Sequence, residues 1–275
     1  MPVPTSIGML HWLPFVKSAP VVSVVRLNGV IAPDGRLGGR GLNDATLAPV
    51  LEKAFSRGKP KAVALVINSP GGSPVQSSLI AARIRRLAGE KSLPVYAFVE
   101  DVAASGGYWL ATAADEIYID PSSIVGSIGV ISSSFGFTGL MEKQGIERRV
   151  HTAGKDKSML DPFRAERPAD VKRLKSIQSQ IHDSFINQVT GRRGDRLSGG
   201  DLFTGEFWVG DKAVKLGLAD GIGHLVPLMK EKFGDKTRFA VFGARRSLFR
   251  RFSSQVTGEI IGSAEDIGLW GQYGL

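Results

Sequence analysis

Three short glycine-rich stretches carry the residues best suited to chemistry: NSPGGS (68–73), ASGGY (104–108) and GSIGV (126–130). Each follows or adjoins an apolar run that reads as a strand. Glycine at a strand end lets the backbone approach a ligand closely and take positive φ at little cost. Two such loops at neighbouring strand ends can aim backbone N–H groups at one point, which is how an oxyanion hole is assembled. A tight turn explains any one of these stretches, and explains three of them less readily. Ser105 is the best nucleophile candidate. It stands between small residues where a strand should pass into a helix, so its hydroxyl should be exposed near free N–H groups that favour negative charge. The competing reading is a serine that only caps that helix.

A serine nucleophile needs a base. There are four histidines. His11 falls in an N-terminal arm, His182 in an amphipathic helix and His224 after a glycine turn, which makes them surface, packing or helix-start residues. His151 is the one expected at a strand end near the loops. No GxSxG elbow is present, so an α/β-hydrolase triad has no anchor. Lysine can serve instead if burial brings its pKa toward neutrality, and TAGKDKSMLDPF (152–163) offers Lys155 and Lys157. The residues alone leave the base open.

The elements that must position these groups follow from the apolar pattern. Residues 21–32, 61–68, 94–100 and 116–119 read as strands, the second a continuous apolar run of the kind covered on both faces. Residues 44–57 and 74–88 read as helices, and 101–114 as a turn followed by a helix. This alternation predicts an α/β domain with a mostly parallel sheet flanked by helices. Residues 168–190 form the longest helical pattern, with Val171, Leu174, Ile177, Ile181, Phe185 and Val189 as a stripe expected to pack on the core. The expected layout is an N-terminal arm (1–20), one domain (21–229) and a basic C-terminal extension (230–275).

Composition narrows the function classes. The chain has 275 residues and no cysteine, so it can bury a core without staples, and disulfide, iron–sulfur and thiol chemistry are excluded. The 34 glycines are about one residue in eight, against a usual share of about 7%. Net charge is +9, which points to an anionic partner or surface. The excess is local: residues 230–251 hold eight basic and two acidic side chains. Within residues 244–256, paired arginines and Leu248, Phe249, Phe252 and Val256 read as a basic amphipathic helix able to lie on an anionic membrane. Without interleaved aromatic platforms, nucleic-acid binding is not expected. The longest apolar run, Ala62 to Ile67, is too short to span a bilayer. The N-terminal arm carries Pro2, Pro4 and Pro14, with its first basic residue, Lys17, after the apolar part, so it does not read as a signal peptide. The expected location is cytoplasmic or peripheral at the inner membrane.

Taken in order and spacing, LVINSPGGS, VEDVAASGGYWLATAADEIY, GSIGV, AGKDKSMLDPF and LFTGEFWVGDKAVKLGLADGIG resemble the signal peptide peptidase A family of serine proteases, from about Val21 to about Val226. The resemblance implies the fold of the Clp protease proteolytic subunit and the crotonases, and a Ser–Lys dyad with no metal or cofactor. It assigns Ser105 as nucleophile and Lys157 as general base, with the N–H groups of Gly72 and Gly106 as oxyanion donors and Gly71 as the fallback for the first. The family places an aromatic residue before its lysine where this chain has Asp156. Lys155 therefore stays as the alternative, and Asp156 is expected to face solvent. Ser127 or Ser69 would orient the lysine. The resemblance also implies a peptide or unfolded-protein substrate, with hydrophobic leader remnants the type, and a homo-oligomeric ring. Two other readings are a degenerate member acting as a membrane-docking or assembly module, and a coenzyme A-binding crotonase-like enzyme. A Clp-type triad is not expected, because no histidine follows Ser105 by roughly 25 residues.

Overall fold

The computed structural model describes residues 19–33, 41–243 and Tyr273. Its frame is a single eight-stranded sheet with helices on both faces. The strands are β1 (Val21–Asn28), β2 (Ala62–Ser69), β3 (Val95–Ala104), β4 (Glu116–Ile119), β5 (Ile124–Gly126), β6 (Phe207–Val209), β7 (Gly221–Ile222) and β8 (Arg238–Phe242). They run in the order β6-β5-β3-β2-β1-β8, with β4 beside β3 and β7 beside β4. Every pairing is parallel except β5 with β6. The fold is therefore the α/β class expected, with a mostly parallel sheet.

Side-chain alternation sorts the central strands into two cores. Val25, Leu27, Val63, Leu65, Ile67, Ala97 and Val99 face one side and Val22, Val24, Ala62, Ala64, Val66 and Phe98 the other. The first face is covered by α1 (Asp44–Ser56), α2 (Pro74–Lys91) and α3 (Gly106–Ala111). Each of the two longer helices starts on a side-chain cap: Asn43 accepts from Thr46 N–H at 2.9 Å, and Ser73 accepts from Gln76 N–H at 3.4 Å with Pro74 in the first turn.

The strand β3 is shared. Tyr96 to Val99 pair with β4, and Val102 to Ala104 pair with β5, so the sheet forks at the exposed Glu100 and Asp101. Of the turn and helix expected over 101–114, the helix is present and the turn is not. β3 continues to Ala104 and α3 begins at Gly106, leaving Ser105 alone as the junction.

After α4 (Thr138–Lys143), α5 (Pro168–Arg193) is the longest helix. Its stripe packs on the core only in part. Phe185 and Val189 are buried, whereas Ile177 is 41% exposed. The second half is held by Trp109 stacked on Phe185 at 4.9 Å and by Arg193 on Asp220 and Gly217 O; among the described residues the first half has no comparable anchor in the sheet. After α6 (Gly210–Lys215), α7 (Leu225–Phe233) lays Met229 on the second face. The expected boundary at 229 falls inside α7, and β8 beyond it pairs with β1. The amphipathic pattern at 244–256 and the arm at 1–18 lie outside the described residues. Among the described residues no helix is long and apolar enough to cross a membrane.

Candidate active site

Ser105 occupies a backbone conformation that few side chains adopt, with φ 50° and ψ −122°. Strain of this kind persists only where surrounding contacts over-determine it. Here the Ser105 N–H donates to Gly126 O at 2.8 Å, tying the junction to β5, and all of α3 that follows is buried. Tyr108 O–H, donating to Leu218 O at 2.8 Å, anchors that helix from within the core. The Ser105 side chain makes no cap hydrogen bond. The helix-capping reading of Ser105 is therefore set aside.

The NSPGGS loop lies against this junction. Ile31 N–H donates to Gly71 O and Ser73 N–H donates to Ile31 O, both at 2.7 Å. In such a parallel bridge the intervening Gly72 N–H turns to the other side. Gly72 has φ 135°, and a Cβ there would fall 2.1 Å from Ile31 O, so only glycine fits. Gly106 is the first residue of α3, and its N–H has no acceptor within the helix. A Cβ on Gly106 would lie 3.4 Å from Gly72 N and 2.5 Å from Ser77 Oγ. Two backbone N–H groups, neither with a hydrogen-bond acceptor among the described residues, thus stand side by side next to Ser105. Gly71 N–H, the fallback, instead donates to Ser69 Oγ at 3.3 Å. That arrangement can hold an oxyanion.

A small cavity opens beside Ser105, walled by Trp109, Val130, Ile181 and Phe185. These apolar walls were not singled out as site residues by the sequence; Ile181 and Phe185 alone could have been noticed, as part of the α5 stripe. Ile31, which sets the glycine loop, gave no signal because its role depends on a bridge between distant segments.

The candidate bases are elsewhere. Lys155 and Lys157 are exposed in the turns before α5, and neither lines the cavity. Lys157 N–H donates to Gly154 O at 3.3 Å. Asp156 faces solvent, as expected, and pairs with Arg173 at 3.3 Å. His151 is exposed and also off the cavity. His224 precedes α7, 3.6 Å from Asp120. His182 Nε2 lies 2.9 Å from Ile128 O, behind the GSIGV loop. Of the hydroxyls, Ser69 is buried and serves Gly71, while Ser127 takes a left-handed φ of 52°. Among the described residues no group of acidic or histidine side chains could hold a metal ion.

The model of peptidase family S49 matches residues 88–233, from the end of α2 through α7. The chain belongs to this family. The match takes in Ser105, Gly106, both lysines and the cavity walls, and leaves the Gly71–Gly72 loop just before it. A protein named as signal peptide peptidase SppA in Enterococcus faecium is 33% identical over 217 residues, 75% of this chain and 62% of that protein. Protease 4 of Haemophilus influenzae is 33% identical over 206 residues, 74% of this chain and 32% of that protein. A Brucella melitensis protein named Na(+)/H(+) antiporter NhaA is 46% identical over 271 residues, 92% of this chain but 37% of that protein. The chain thus spans between about a third and three-fifths of these relatives.

Proposed function

We propose that the protein is a serine endopeptidase that cleaves hydrophobic peptides, such as leader-peptide remnants, through a Ser105–Lys157 dyad. The observation that carries this reading is the strained Ser105, with its hydroxyl free of any cap, beside the two unpaired N–H groups of Gly72 and Gly106. In the mechanism, neutral Lys157 takes the Ser105 proton and Oγ attacks the peptide carbonyl. The Gly72 and Gly106 N–H groups hold the resulting oxyanion, the leaving amine departs with a proton, and water releases the acyl-enzyme. The apolar cavity beside Ser105 suits an apolar side chain next to the scissile bond.

A lysine base must be desolvated, and Lys157 is exposed in the single chain. The reading therefore includes assembly into a homo-oligomer that encloses Lys157 and brings it to a serine. Support comes from the segment that carries it: Ile131 is 85% exposed and Phe135 80%, and Leu140 and Ile146 are also uncovered. Exposed apolar surface on this scale marks an interface.

The separation of Lys157 from the cavity also favours a second reading, a non-catalytic docking or assembly module. A fluorophosphonate probe and a hydrophobic peptide substrate decide between them. The protease reading expects labelling of the wild type, none of Ser105→Ala, and loss of turnover in Lys157→Ala but not Lys155→Ala. Equal labelling of wild type and Ser105→Ala, or labelling of neither, leaves the docking module.

A further inference from the structure

α5 contributes more to the site than the Ile181 and Phe185 walls. Between them His182 is half-buried, with Nε2 2.9 Å from Ile128 O. A carbonyl oxygen only accepts, so Nε2 carries the hydrogen and the imidazole donates. Ile128 is fully buried, at 0% exposure, in the middle of the GSIGV loop.

Three successive residues of that loop are tied to segments outside it, and within it Gly129 N–H donates to Ser127 O at 2.9 Å. Gly126 O accepts the Ser105 N–H at 2.8 Å, Ser127 N–H donates to Glu206 O at 2.7 Å, and Ile128 O takes His182. The next two residues, Gly129 and Val130, line the cavity. Gly129 has no side chain with which to anchor itself, and a Cβ there would come within 3.0 Å of Gly205 Cα. Of the three ties only the one at Ile128 is made by a side chain, and only it runs to α5, the helix that supplies the facing cavity wall.

We infer that His182 is a positioning residue: its imidazole N–H clamps the Ile128 carbonyl to α5, and so fixes both the Gly129–Val130 wall and the Gly126 carbonyl that holds Ser105 in its strained conformation. It acts through the loop and touches no reacting atom. Its kinetic consequence rests on the Ser105 reading, whereas the clamp itself does not. Without the donor, a buried carbonyl is left unsatisfied and the loop shifts to find another partner. A misplacement of about 1 Å at a catalytic group can cost about 10²-fold in rate.

The test compares His182→Leu, which removes the donor, with His182→Gln, whose amide N–H reaches a similar position. Two readouts are taken on each: hydrogen exchange of the Ser105 amide and the 124–130 segment, and the rate of fluorophosphonate labelling together with kcat and KM on a hydrophobic peptide. His182→Leu should exchange faster in that segment and label more slowly, with kcat down about 10-fold or more. His182→Gln should restore both. A residue that only fills space would respond to volume, with Gln and Leu alike. Unchanged exchange in His182→Leu overturns the clamp whatever the activity, as does failure of Gln to restore it. Faster exchange with no labelling of the wild type leaves the clamp standing and removes the Ser105 reading, and with it the kinetic role of His182.

Discussion

Two regions of the molecule hold the two halves of the proposed dyad, and they are built on opposite terms. The serine half is over-determined: β3 delivers Ser105 directly into a wholly buried α3, Ile31 and Ser73 set the glycine loop, and Gly126 fixes the Ser105 amide. The lysine half, residues 129–167, has α4 without one buried residue and Ile131, Phe135 and Leu140 open to solvent. Its order comes from local contacts: Phe163 stacks on Phe137 at 5.4 Å, and Arg148 holds the Asp161 carboxyl below its usual range. One half is finished by its own fold. The other presents surface that a single chain leaves uncovered.

Removing Ser105 is the sharpest way to break the comparison. Ser105→Ala should lower turnover by about 10⁴-fold or more with little change in stability, since alanine also relieves no packing. Lys157→Ala should match it in rate, and Lys155→Ala should not, measured on a hydrophobic peptide. Equal losses at both lysines would detach the lysine half from the chemistry. Next in size is Gly72→Ala. Its Cβ collides with Ile31 O, displacing one oxyanion donor, and kcat should fall by about 10²- to 10³-fold with the Ser105 hydroxyl still in place.

How much of this was open to sequence reading follows the same divide. Local signals were decisive in the serine half: the continuous apolar run of β2, the glycines at strand ends, and the small residues around Ser105. Yet even there the fork of β3 was hidden, because one strand changing partners halfway leaves no mark on its own pattern. The strand β8 was missed because RFAVF follows a charged stretch and looked like part of a basic tail. Just beyond the lysine half, the α5 stripe was read as wholly core-facing. Periodicity gives the face of a helix and not what lies opposite it, so Ile177 could not be told from Phe185. Whether Lys157 meets Ser105 is a non-local fact that spacing does not contain.

Stability separates the halves as well. Phe185→Ala empties the wall against Trp109 and should cost about 3–5 kcal/mol in denaturant unfolding. Acid should act through the same half. Arg83, hydrogen-bonded to Asp44 through two contacts of 2.7 Å, holds that carboxyl below its usual range. A depressed carboxylate stabilises above its unfolded pKa of about 3.9 and loses that contribution as pH falls through the lower folded value. Unfolding free energy should therefore drop below about pH 4, less steeply in Asp44→Asn. Asp161→Asn, in the lysine half, should leave the global transition where it is.

The smallest effect expected on the single chain carries the most weight for assembly. Phe135 and Leu140 bury little in one copy, being 80% and 56% exposed, so replacing both with serine should change unfolding free energy by no more than about 0.5 kcal/mol each. If residues 129–167 are the surface that closes on a second copy, the same pair should shift sedimentation toward the monomer, because those side chains lose their burial only in the assembly. Turnover should fall with the assembled fraction, and raising protein concentration should recover part of it. Labelling of a monomeric variant at the wild-type rate would place the base within the single chain and end the division between the halves. Loss of stability comparable to Phe185→Ala would show instead that the lysine half is part of the core.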